Sequence, residues 1–196
     1  MDFLSLPGRL LLDTCVINIL QDDGAYIFEG EIPEGQTEFE LSEDLKALRK
    51  IFQVNENAGF QFLVSPLTFA ELANAPSITQ DRRRIQWAFD VLDHWLIVLE
   101  ETEDRKGGGG TVQHRFKLTT ELQALESRLM NNPDFRRDPF DRLLIIQYKM
   151  GNCDAFLTTD RNTIWRHRDW LLEEGIKVLS PSDFWAVLKP YANLWH

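Results

Sequence analysis

Arg9-Leu10-Leu11-Leu12-Asp13-Thr14-Cys15-Val16 is the stretch that decides the fold. Three leucines run without a break and stop at an acid. Such a run suits a strand buried on both faces, as in a parallel sheet. Asp13 then stands at the carboxyl end of the strand, where open α/β sheets collect ligands and catalytic groups. It has two meanings there. It can cap the helix that begins at about Val16, or it can serve as a metal or catalytic carboxylate. Taken alone, the cap is the commoner meaning. Further acids at equivalent places would be needed to reverse it.

Outward from this stretch, four more short apolar segments read as strands: Gln61–Val64, Trp95–Leu99, Asp154–Thr158 and Ile176–Leu179. Helical patterns separate them. Ser42 is placed to cap a helix from Glu43 to about Asn55, with Leu45, Leu48, Ile51 and Phe52 on one face. Ser65-Pro66, Asp138-Pro139 and Ser180-Pro181 repeat one device: a capping side chain, then a proline where a missing N–H costs nothing. Residues Ser77 to Asp93 carry apolar positions at helical spacing. Thr120-x-x-Gln123 reads as a capping box for a helix to about Met130. Gly151 is placed to end the helix opened by Asp138-Pro139, and Asn162 to cap one reaching Leu172. Strands alternating with helices predict an α/β fold with a mainly parallel sheet, in one domain over 1–196.

The chain has 196 residues, 43% hydrophobic and 27% charged, within the range of an ordinary globular domain. The first residues carry no basic segment followed by a long apolar one, so no leader sequence is expected. The apolar runs are far too short for a membrane span. Cys15 and Cys153 lack metal or redox spacing, and free thiols in a cytoplasm are expected.

A net charge of −10 argues at first against a nucleic-acid partner. Its distribution weakens that argument. Nine of the 31 acids lie between Asp22 and Asp44, where there is no Lys or Arg. The remaining 22 face 21 bases. Gly24, Gly30, Pro33 and Gly35 punctuate this acidic stretch, so residues from about 22 to 44 read as a loop or insertion. The arginines cluster at Arg82–Arg84, at Arg136, Arg137 and Arg142, and at Arg161, Arg166 and Arg168. Such clusters suit phosphate contact or a solvated helix face. A second insertion, at about 101–118, holds Gly107 to Gly110. No Gly-Lys-Ser/Thr follows it, so a flexible connection is expected rather than a phosphate loop.

Asp13 and Asp160 both follow buried strands. Glu71 sits on the helix after the second strand, and Asp141 in the first turn of the helix before the fourth. Right-handed crossovers point all the carboxyl ends one way, so the four acids can meet. Clustered carboxylates raise one another's pKa, which a divalent cation resolves. Hard oxygen donors without histidine spacing suit Mg²⁺ or Mn²⁺. Such an ion activates water and neutralises phosphate charge, which makes phosphodiester hydrolysis the natural chemistry.

The ordered set Leu-Leu-Asp13-Thr14, Glu71-Leu, Asp138-Pro-Phe-Asp141-Arg142-Leu-Leu-Ile and Leu-Thr-Thr-Asp160 resembles the PIN-domain nucleases, with the VapC-type toxins of toxin–antitoxin pairs as the nearest subgroup. The resemblance implies a three-layer α/β/α fold with a five-stranded sheet in the order 3-2-1-4-5. It implies a Mg²⁺- or Mn²⁺-dependent endoribonuclease whose acids are Asp13, Glu71, Asp141 and Asp160. RNA is then the substrate, an antitoxin protein is an expected partner, and a homodimer is an expected assembly. Thr14 and Thr159 are expected to orient the neighbouring acids, with Asp138 a helix cap or an outer acid. Arg142 and Arg161 are the expected substrate contacts. The alternative is a non-catalytic PIN-like scaffold that binds RNA or a protein. Both insertions depart from a compact toxin.

Overall fold

The computed structural model describes residues 6–68, 96–98 and 118–195, with 96–98 and 195 described by their backbone alone. Glu71, the segment from Ser77 to Asp93, the glycine-rich insertion and Arg82–Arg84 lie outside these residues. Strand β1 (Arg9–Leu12) runs into helix α1 (Thr14–Asp22), and α2 (Glu43–Ala58) leads to β2 (Gln61–Val64). After β3 (Leu96–Val98) come α3 (Thr120–Asn131), α4 (Pro133–Arg137) and α5 (Pro139–Met150). Strand β4 (Ala155–Leu157), α6 (Arg168–Glu173), β5 (Val178–Leu179) and α7 (Pro181–Leu188) follow.

The strands lie in the order β3-β2-β1-β4-β5, and every pairing is parallel. Strand β1 is central. Leu12 pairs with Val64 on one side and with Leu157 on the other. The chain therefore leaves β1 toward β2 in its first crossover and comes back to its other side at β4. This is the point at which parallel sheets open a crevice at their carboxyl ends.

Alternation along the strands sorts their side chains into two cores. Leu10, Leu12, Phe62, Val64 and Leu157 pack with Val16, Ile17, Leu48, Ile51 and Phe184. Leu11, Leu63 and Phe156 pack with Leu129, Phe135, Ile145 and Leu171. Helices α1, α2 and α7 cover the first face, and α3 to α6 the second. Leu10, Leu11 and Leu12 are all 0% exposed, each contributing about 1.5–3 kcal/mol of burial. This explains the unbroken run: a strand covered on both faces has no polar side.

The helix ends show which local expectations hold. Ser42 Oγ accepts from Leu45 N at 3.1 Å, and α2 runs to Ala58 before Gly59 turns left-handed at φ 70°. Ser180 and Asp183 form a reciprocal capping box at α7. Other ends differ. Helix α3 is capped by Thr119, one residue before the expected Thr120. Asn132-Pro133 opens α4, an unexpected further use of the cap-proline device. Asn162 caps no helix; its backbone N–H donates to Asp160 Oδ1 at 2.8 Å, and α6 begins only at Arg168.

The acidic insertion is not a plain loop. Residues Ala25–Glu29 form a π-helical turn with Tyr26 and Ile27 buried in the first core. Arg49 donates to the Tyr26 carbonyl at 2.5 Å and lies 5.2 Å over its ring. Glu38–Glu40 form a 3-10 turn closed by Thr37 and Glu40. Among the described residues no helix is long and apolar enough to cross a membrane.

Candidate functional site

Asp13 extends the β1–β4 ladder by one rung, its N–H donating to the Leu157 carbonyl at 3.0 Å. It occupies the N-cap position of α1, yet its side chain makes no capping hydrogen bond. The helix-cap meaning therefore fails for this carboxylate. Oδ2 instead accepts from the Thr158 hydroxyl at 2.5 Å and from the Cys15 thiol at 3.0 Å. Asp13 is only 6% exposed. Burial pushes its carboxyl above the ordinary range, and hydrogen bonds from Cys15, Thr158 and the Thr14 backbone oppose the rise. The charge of Asp160 adds to it.

Thr158 is the joint of the site. It is buried at the end of β4, beside Asp13 in the register. Its hydroxyl donates to Asp13 and accepts from the Asp160 N–H at 3.0 Å. One oxygen thus fixes a carboxylate on β1 and the loop that carries a second one. Thr159, the expected orienting residue, reaches no acid by a described hydrogen bond; its N–H donates to Cys15 Sγ at 3.2 Å. Thr14 contributes through its backbone. The Cys15 thiol is pushed up to about 12, by burial first and then by Asp13, so it remains a neutral donor.

Asp141 enters from α5. Pro139 and Asp138 start that helix, and the Asp138 carboxylate accepts from Phe140 N at 3.0 Å and Asp141 N at 3.1 Å. Asp138 is thus a cap, as one of its two expected roles required. Asp141, three residues on, faces the carboxyl edge. Burial raises its carboxyl to about 7, with further pushes from Asp138, Asp13 and Asp160, while a hydrogen bond from Thr163 opposes them. Asp13, Asp141 and Asp160 therefore lie within electrostatic range of one another. Among the described residues no three His, Cys, Asp or Glu side chains stand together as a ready metal-binding group. The expected fourth acid, Glu71, lies outside them.

The two expected substrate arginines have different surroundings. Arg142 is half-buried and donates to the Phe135 carbonyl at 3.1 Å, which fastens α5 to α4. Arg161 follows Asp160 directly and pairs with Asp44 at 3.0 Å. Asp44 also accepts from Ser182 N at 3.0 Å, so the end of the acidic insertion is tied to this loop and to α7. Neither arginine is among the groups that shift Asp13 or Asp141.

Thr158, Thr163 and Cys15 were not among the expected site residues. The register contains the signal for Thr158. Once the first strand lies beside the fourth with Leu12 opposite Leu157, the next pair is Asp13 and Thr158.

The class that fold and site define is a parallel α/β protein with Asp13 at the switch point of its sheet and Asp160 and Asp141 within electrostatic range of it. No protein-family model, curated protein or solved structure matches the chain.

Proposed function

We propose that this chain is a PIN-like, Mg²⁺- or Mn²⁺-dependent endoribonuclease that acts in the cytoplasm as the toxin of a toxin–antitoxin pair. One observation carries the reading. Asp13, at the end of the central strand, is buried without capping its helix, and it is held in place by Thr158 within electrostatic range of Asp160 and Asp141. A carboxylate in that position destabilises the fold unless a cation or a proton meets it.

The donor set fits a hard divalent ion. It is all carboxylate oxygen, and the charged groups that act on Asp13 and Asp141 are other acids, which add to the rise that burial causes. Asp13, Asp141 and Asp160, with Glu71, are the residues that would hold it. When bound, such an ion supplies charge neutralisation for a phosphodiester and acidifies water. The chain's own part is placement. Thr158 sets the Asp13 carboxylate and the Asp160 loop, Thr163 steadies Asp141, and Asp138 fixes the start of α5.

The test is incubation of the purified protein with structured and unstructured RNA in Mg²⁺, Mn²⁺ or chelator, beside Asp13→Asn. The reading expects cleavage with either metal, abolished by chelator and by the substitution. Cleavage that survives both would contradict it. Failure to cut any RNA would favour the non-catalytic scaffold. For the toxin role, induced expression should arrest bacterial growth and the Asp13→Asn variant should not.

A further inference from the structure

Directly after Asp160 comes Arg161-Asn-Thr-Ile-Trp165-Arg166-His167-Arg168, which holds three arginines, a histidine and a tryptophan, and no acid. In the folded chain this segment concentrates its charge around one ring. The Arg161 guanidinium lies 4.1 Å from the Trp165 ring centroid and that of Arg168 lies 4.7 Å from it. Both arginine side chains remain open, 45% and 44% exposed. We infer that Arg161, Trp165 and Arg168 form a platform that grips the backbone of a single-stranded nucleic acid passing the acids. The inference rests on the nuclease reading only for the direction in which the strand leads.

The platform stands on a fixed base. Ile164 is fully buried in the second core. The Thr163 side chain bonds Asp141. His167 Nε2 lies 2.8 Å from Asp134 of α4, and its ring is 5.3 Å from that of Phe135. Trp165 is two residues from Thr163, so their backbones lie within about 7 Å of each other. A strand whose phosphate sits at Asp141 and Asp160 would therefore meet Trp165 within a nucleotide or two.

The contacts these arginines make in the free protein are of the kind a polyanion displaces. Arg161 pairs with Asp44 through one terminal nitrogen. Arg168 has a 3.4 Å bond to the Trp165 carbonyl and a 3.9 Å approach to the open Asp169. Exposed ion pairs are weak, whereas Arg forks match phosphate oxygens. Trp165 is half-buried against the second core, so it seats the two guanidinium groups. A guanidinium held over an indole keeps its N–H edges for phosphate, and its outer plane offers a base a stacking surface. A nucleic acid offers a phosphate and a planar base at every unit, whereas the carboxylates of an acidic peptide bring no ring of their own, which makes nucleic acid the better fit.

Binding can be separated from cutting. The full chain carrying Asp13→Asn is titrated in chelator against a fluorescent single strand of uridines, between about 50 and 200 mM salt. Adding Arg161→Gln and Arg168→Gln should weaken binding about 10-fold or more at the low-salt end. It should also flatten the slope of log affinity against log salt by about 1.4, since each lost phosphate contact removes about 0.7. Trp165→Phe should keep most of the affinity. Trp165→Ala should lose as much as the arginine pair, with a thermal melt showing that it still folds. An unchanged slope in the double variant would overturn the platform. So would undetectable binding of the strand, or equal binding of poly-glutamate. Metal-dependent cleavage by the unsubstituted protein is scored separately. Cleavage with no platform effect rejects the platform and keeps the nuclease, and a platform effect without cleavage does the reverse.

Discussion

The two ends of β1 each meet an aspartate, and the two are used in opposite ways. At the amino end Asp154 is exposed and accepts from the backbone N–H groups of Gly8 and Arg9, both at 2.9 Å. It braces the strand, and its charge faces water. At the carboxyl end Asp13 is buried, is held by a hydroxyl and a thiol, and has Asp160 and Asp141 within range. Its hydrogen bonds orient the carboxylate without neutralising it. The same residue type on the same sheet is thus structural where it satisfies backbone donors. It is a candidate ligand where the surrounding protein leaves its charge uncompensated.

Substitution should separate these roles sharply. Asp13→Asn should lower metal-dependent RNA cleavage by about 10²–10³-fold or more while the melting temperature holds or rises, because a buried repulsion is removed. Asp154→Ala should leave cleavage per folded molecule unchanged and cost about 1 kcal/mol in denaturant unfolding. Loss of activity in both variants, or in neither, would dissolve the contrast.

The joint at Thr158 offers a finer break. Thr158→Val keeps the shape but removes the oxygen shared by Asp13 and the Asp160 N–H. Activity at limiting metal should fall about 10–100-fold, the range typical of groups that orient ligands. Thr158→Ser should recover most of it. Thr159→Val should have little effect on the same assay.

The smallest expected effect is on pH-dependent stability. Asp141 titrates at about 7 when folded, against 3.8 for its ordinary value. Between those values the folded state holds the extra proton, so its contribution to stability is full below 3.8 and is lost as pH rises to about 7. In chelator, the melting temperature should decline across that window by on the order of a few degrees more than in Asp141→Asn. Added Mg²⁺ should flatten the decline. A wild-type profile parallel to that of the variant would remove Asp141 from the site.

Much of this arrangement was legible in the chain. The leucine run before Asp13 suits a strand covered on both faces, and the cap-proline pairs marked helix starts at Pro139 and Pro181 without any tertiary information. These features are local, and local chemistry decides them. Thr158 was not legible because its partner lies across the sheet. Only the register distinguishes it from Thr159, and a shift of one residue changes which threonine meets Asp13. Asn162 misled for a related reason. It has the composition of a cap, but Asp160 takes its backbone N–H into a tight turn before a helix can form. In the acidic insertion, the glycines and glutamates masked the apolar Tyr26 and Ile27, whose burial depends on Arg49 and α2.

The central claim is that the carboxyl edge holds a divalent cation through Asp13, which Mn²⁺ binding tests most directly. Free Mn²⁺ is followed by electron paramagnetic resonance as it is titrated into the full chain and into Asp13→Asn. The account predicts saturable uptake by the unsubstituted protein, competed by Mg²⁺ and lost in the variant. Equal uptake by both proteins, or none by either, would contradict it.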